Sequence, residues 1–305
     1  MDVKLLRQLC EIHAPSGNES AMTEFVFNHV KRRSRNWKSR PEVLHGDAFQ
    51  DCLILKFGAP RTAIFAHMDS VGFTVRYFDQ LVPVGSPEAP AGTVLVGHDS
   101  LGPVECELQY DQEGRAAYRF GRVIDRGTDL TYKVNFRNAG GFVESASLDN
   151  RVGVYAALKV AETLSDGVIC FSCGEEHGGG TVPFLIRHAY ETWNVRQTLV
   201  ADVTWTTDGV RPGAGPVISL RDRHIPRRRY IERIAALALK SGIPHQHEVE
   251  GTGSSDGREL QASPYPIDWC FIGVAQEHPH TPAEKVHKDD VTQMVALYEY
   301  LLEHL

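Results

Sequence analysis

The residues of this 305-residue chain that could do chemistry are histidines and carboxylates placed where apolar runs end. Ala66-His67-Met68-Asp69-Ser70 follows a strand-like run, and a His-x-Asp there lets an imidazole bind metal while a carboxylate orients its ring. The same pair also serves as an ordinary surface contact. In Ser147-Leu148-Asp149-Asn150-Arg151-Val152-Gly153, Asp149 stands just before a helical pattern, where it could be a ligand or a simple cap. Glu175 and Glu176 sit side by side between an apolar run and Gly178-Gly179-Gly180. Adjacent like charges raise each other's pKa unless a cation or a shared proton relieves them, although two solvated loop carboxylates would look the same. Asp202 interrupts the apolar Val200-Ala201-Asp202-Val203, where an unpaired charge is costly and backbone donors are the alternative to a metal. His278 and His280 crowd the turn from Glu277 to Glu284, and either imidazole could be a ligand.

These segments need rigid elements to bring them together. Apolar spacing predicts a helix over 3–13, ended by Ala14-Pro15-Ser16-Gly17, and a second one starting at Asn18 or Ser20. Runs at 52–57 and 62–66 read as inner strands of a covered sheet. Between 74 and 140 the pattern changes to short alternating strands punctuated by Gly, Pro and Asp. From Leu148 an α/β rhythm returns, with helices over 152–164, 181–190 and 226–241, strands at 168–173, 198–201 and 267–272, and a terminal helix from 289. The fold class is therefore α/β, a mixed sheet flanked by helices. The catalytic domain, residues 1–73 and 141–305, is split by a small inserted β-domain at 74–140.

Taken in order, the AHMD, SLDNRVG, GEEHGGG, ADVTWTTD and HTPAE segments resemble the metal-site motifs of the deblocking, or tetrahedral, aminopeptidases within the co-catalytic zinc exopeptidase clan. Ala14-Pro15-Ser16-Gly17-Asn18-Glu19 and Gly251-Thr252-Gly253-Ser254-Ser255-Asp256-Gly257 are similar to further turns of that family, and the likeness spans nearly the whole chain. It implies a zinc-exopeptidase fold and a metal-dependent aminopeptidase acting on peptide N-termini. His67, Asp149, Glu176, Asp202 and His280 would hold two divalent ions, with Asp149 bridging them. Glu175 would be the free carboxylate acting as general base, and Asp69 would support His67. Ser254 and Asp256 would belong to the substrate-binding wall, and a cis peptide would join Asp149 to Asn150. Oxygen and imidazole donors without thiolate suit zinc, with cobalt or manganese also compatible. The chain departs from the family pattern at Ser70 and at Glu277-His278. A di-metal amidohydrolase acting on N-acyl amino acids and a non-catalytic relative are the alternatives, and retention of Glu175 speaks against the second.

Composition fits this reading. A net charge of -7 argues against a surface that holds nucleic acid non-specifically. The Arg227-Arg228-Arg229 run reads as a solvated helix start. No apolar run approaches the roughly 18 residues a membrane span requires. The beginning Met1-Asp2-Val3-Lys4 lacks the apolar stretch of a signal peptide, and the six cysteines form no staple-like framework, so the expectation is a cytoplasmic protein with free thiols. Its expected partners are peptide substrates and copies of itself, as a homo-oligomer.

Overall fold

The computed structural model describes all 305 residues. Four parallel strands form the centre of an eleven-stranded mixed sheet: Gly167–Ser172, Thr62–His67, Gln197–Trp205 and Asp268–Glu277, in that spatial order. Gly167–Ser172 and Thr62–His67 are buried at every position, as strands with both faces covered must be. Antiparallel strands extend both edges, with Gln50–Phe57 and Glu42–Gly46 on one side and Glu284–His287, Phe142–Ser145 and Arg137–Ala139 on the other. Helices Val3–Cys10, Arg228–Ser241 and Lys288–His304 form a layer with the central helix Leu148–Ala161, while Ser20–Arg33 packs on strand Gln50–Phe57, Val182–Trp193 on Gly167–Ser172 and Gly257–Ala262 on Asp268–Glu277. No helix is long and apolar enough to cross a membrane.

The insertion is a second, six-stranded antiparallel sheet running from Gly72–Val75 to Asp129–Tyr132. Its terminal strands approach one another through a bridge between Gln80 and Ala117, so the sheet curls into a nearly closed barrel. It has its own apolar interior, built on Phe73, Leu95, Leu108, Leu130 and Tyr132. The chain returns to the main sheet earlier than the sequence suggests, because Arg137–Ala139 already pairs with Phe142–Ser145. All six cysteines are buried as free thiols. The basic run opens a helix as expected, with Arg227 paired to Asp268.

Helix Leu148–Ala161 is apolar nearly all round, which is why it lies inside the molecule. Its first turn is not helical: Asp149 and Asn150 adopt extended or bridging angles and are joined by a cis peptide. Asn150 Nδ2 donates to the Ala201 carbonyl at 2.8 Å, and its Oδ1 accepts from the Gly153 amide at 2.8 Å. This close approach leaves no room for a side chain, since a Cβ on Gly153 would sit 2.2 Å from the Ala201 oxygen. Gly153→Ala should therefore push the helix off the strand and cost about 1–3 kcal/mol of stability. Urea unfolding tests this, and an unchanged midpoint would show that the contact is not tight.

Candidate metal centre

Parallel strands deliver the site at their carboxyl ends, where open α/β sheets place ligands. His67 is the last residue of its strand. Phe65 pairs with Val200 in the neighbouring strand, so two residues further on Asp202 comes level with His67. Strand Gly167–Ser172 leads into the loop that carries Glu175 and Glu176, and strand Asp268–Glu277 leads into the turn of His280.

The five expected ligands converge. His67 Nε2 lies 3.3 Å from Asp149 Oδ1 and 3.6 Å from Asp202 Oδ1. His280 Nε2 lies 3.5 Å from Asp149 Oδ2 and 3.3 Å from Glu176 Oε2. The two oxygens of Asp149 are thus divided between the two imidazoles, as a carboxylate between two cations requires. Glu175 Oε2 is further from His67, at 3.9 Å. His280, not His278, enters the cluster: His278 is exposed, and its carbonyl accepts from Thr281 Oγ1.

Fit to a cation can be judged from the donors themselves. Ligand atoms of His67, Asp149 and Glu176 all lie within 4.8 Å of one another. Glu176 Oε1 is buried with no hydrogen-bond partner, an orphan acceptor of the kind a metal satisfies. Imidazole and carboxylate with no thiolate match zinc and its neighbours. These residues fit a divalent cation.

Asp69 fixes the surroundings. Its carboxylate accepts Ser16 Oγ at 2.6 Å and the amides of Glu175 and Glu176 at 3.1 and 3.0 Å, and it lies 3.3 Å from His67 Nδ1, off the hydrogen-bonding line. Burial alone would raise its pKa, but these contacts hold it below the usual carboxylate range. Ser70 faces the Ala14-Pro15-Ser16 turn and donates to the Ala14 carbonyl at 3.3 Å.

Three supporting residues lie inside the motif segments with no sequence signal of their role. Arg151 is fully buried and donates to the Met68 and Asp69 carbonyls, clamping the loop behind His67. Glu284 accepts the Asp149 amide at 3.0 Å and so positions the bridging carboxylate. Glu19 accepts from the Gly17 and Gly174 amides, joining the N-terminal turn to the Glu175 loop. Ser254 lines the open cavity of about 490 Å³ that contains the cluster. Asp256 does not; it is 2% exposed and turned inward to accept Ser172 Oγ at 2.5 Å. The inserted barrel also takes part, because the Glu88 amide and the Tyr132 hydroxyl both donate to the His280 carbonyl, at 2.9 and 3.2 Å.

Without cations the cluster is electrostatically crowded. Burial pushes Glu175 and Glu176 well above the usual carboxylate range, and neighbouring carboxylates push them further. Burial likewise raises Asp202 to about 6, Asp256 to about 7 and Glu284 to about 8. His67 is buried too, which disfavours its charge, yet Asp202, Asp149 and Asp69 outweigh burial and raise its pKa well above the ordinary value. Raised acids bind protons in the folded state that they release at about pH 4 when unfolded, so stability falls as pH rises from there to about 8. Raised histidines act in the same sense, their contribution being complete below about pH 6.5 and lost as pH rises through the folded pKa. Chelator-treated protein should therefore show a melting temperature that falls between about pH 5.5 and 8.5 by calorimetry, a fall that added zinc suppresses. A flat or rising profile without metal would contradict this crowding.

Comparisons with known proteins bear on the fold and the family. The structure superposes on the TET1 peptidase of Pyrococcus horikoshii with a TM-score of 0.85 at 21% identity, covering 98% of each chain. It superposes on an aminopeptidase from the archaeon Desulfurococcus kamchatkensis with a TM-score of 0.87 at 20% identity, covering 99% of this chain and 94% of that one. In sequence it is 24% identical to SgcX of Escherichia coli strain K12, which carries only a provisional aminopeptidase name, over 96% of this chain and 91% of the relative. The profile of the M42 glutamyl aminopeptidases matches residues 118–297. The chain is a member of the M42 glutamyl aminopeptidase family, a family of hydrolases.

Proposed function

We propose that this protein removes N-terminal residues from peptides with two divalent cations, zinc in the first instance, held by His67, Asp149, Glu176, Asp202 and His280. The observation that carries this reading is the division of the two Asp149 oxygens between His67 and His280. When bound, such a pair of cations supplies Lewis acidity that polarises a scissile carbonyl and lowers the pKa of water.

The protein's own groups do the rest. Glu175 lies beside the cluster but further from His67 than Asp149 or Asp202 does, and it lines the cavity, so its Oε2 is free to move protons. It takes a proton from the attacking water and returns it to the leaving amine, the work of a general base and then acid. Asp69 holds the Glu175 and Glu176 amides, so the base and its neighbouring ligand keep a fixed relation. Glu284 and Asn150 hold Asp149 from the backbone side. Self-association into a homo-oligomer is part of the same proposal, as the TET1 peptidase assembles into a tetrahedron or a large octahedral shell.

Aminoacyl-anilides and N-acyl amino acids, assayed side by side with and without chelator, separate this reading from an amidohydrolase. Cleavage of the anilides alone, abolished by chelator, is expected. Glu175→Gln should lower kcat by about a thousandfold or more while metal content stays at two ions per chain. Turnover surviving that substitution would remove Glu175 from the role given to it.

A further inference from the structure

The cavity that holds the candidate metal centre extends to a group of carboxylates that hydrolysis leaves unused. Asp222, Glu248 and Glu250 all line it, near Phe271 and Trp205. Glu248 is 4% exposed and Asp222 is 6% exposed. Glu248 accepts Thr204 Oγ1 at 2.5 Å, and no Lys or Arg side chain lies within ion-pair distance of Glu248, Asp222 or Glu250. The nearest basic side chain is the imidazole of His224, whose Nδ1 is 3.6 Å from Asp222 Oδ1, while Arg221 turns its Nε to the Asp222 backbone carbonyl. Arg258 is the one lysine or arginine lining the cavity, and its Nε is 3.0 Å from Glu259. All three residues line the one cavity, and burial, with the charges of Glu250 and Asp222, raises the Glu248 pKa. A buried carboxylate with no cation beside it is unfavourable unless the cation arrives from outside.

The strand sets the reach. Asp202 and Thr204 lie two residues apart on Gln197–Trp205 and point to the same face, which separates them by roughly 7 Å. Glu248 is anchored on Thr204, so its carboxylate stands about one long side chain away from the metal-facing end. That length matches the four-carbon stem and terminal ammonium of lysine, or the guanidinium of arginine.

We propose that Asp222, Glu248 and Glu250 form the subsite for the substrate's first side chain and select peptides that begin with lysine or arginine. This rests on the aminopeptidase reading of the same cavity. Val203, Trp205 and Phe271 line the same cavity and offer apolar surface to the aliphatic stem.

The test uses metal-loaded protein with lysyl-, arginyl-, leucyl- and glutamyl-p-nitroanilide. kcat/KM for the two cationic substrates should exceed that for leucine and for glutamate by at least about tenfold. Glu248→Gln should lower the lysine-to-leucine ratio by about tenfold, and Glu250→Gln, at a half-buried position, should lower it in the same direction. Preference for the leucyl or glutamyl substrate, or an unchanged ratio in both folded variants, overturns the subsite while leaving the aminopeptidase reading intact. If no anilide is cleaved, that reading fails instead, and calorimetric binding of free L-lysine against L-leucine decides the subsite. Tighter lysine binding that is lost in Glu248→Gln upholds it, and equal binding overturns it.

Discussion

Asp149 is the point on which the rest of the structure depends. Its two oxygens are shared between imidazoles from opposite ends of the sequence, and it lies beside buried carboxylates that cannot all carry charge without counter-ions. The paired cations proposed above would answer this constraint, because they would neutralise the carboxylates and turn their crowding into attraction. With such cations bound, the burial of Glu175, Glu176 and Asp202 would become an asset, since a water-poor site strengthens the field felt by a reacting carbonyl.

Much of the molecule holds this carboxylate in place. Gly153 lets the central helix touch strand Gln197–Trp205, and the Asn150 amide ties the two together. Glu284 takes the Asp149 amide from the other side, while Arg151 and Asp69 fix the loops that bear His67, Glu175 and Glu176. The inserted barrel, with its own apolar interior, reaches back to hold the His280 carbonyl. A domain that looks separable in sequence is therefore part of the support for the site.

Legibility from sequence followed the physics of each residue. His67 and Asp202 could be placed because apolar runs declare strands, and strand ends in a parallel sheet declare where ligands gather. Glu175 and Glu176 drew notice because adjacent buried carboxylates are unfavourable. The supporting residues gave no such signal: the value of Glu284 lies in a backbone amide 135 residues away, and Arg151 is satisfied by carbonyls, which any sequence supplies. The resemblance sets Asp256 on the substrate wall; it is buried, accepts from Ser172, and lines a small recess that it shares with Glu175. The barrel was visible from its alternating short strands, but its end was not, because the strand Arg137–Ala139 has no buried residue to mark which sheet it joins. The acidic wall of Asp222, Glu248 and Glu250 was also hidden, its members being scattered over two strands' ends until pairing brings those strands together.

The most direct test is crystallographic: crystals grown with zinc, with diffraction collected on either side of the zinc absorption edge. Two anomalous peaks are expected, roughly 3.5–4 Å apart with the Asp149 carboxylate between them. His67 and Asp202 should bind one ion, and Glu176 and His280 the other. A single peak, or peaks that leave Asp149 uncoordinated, would contradict the two-cation site.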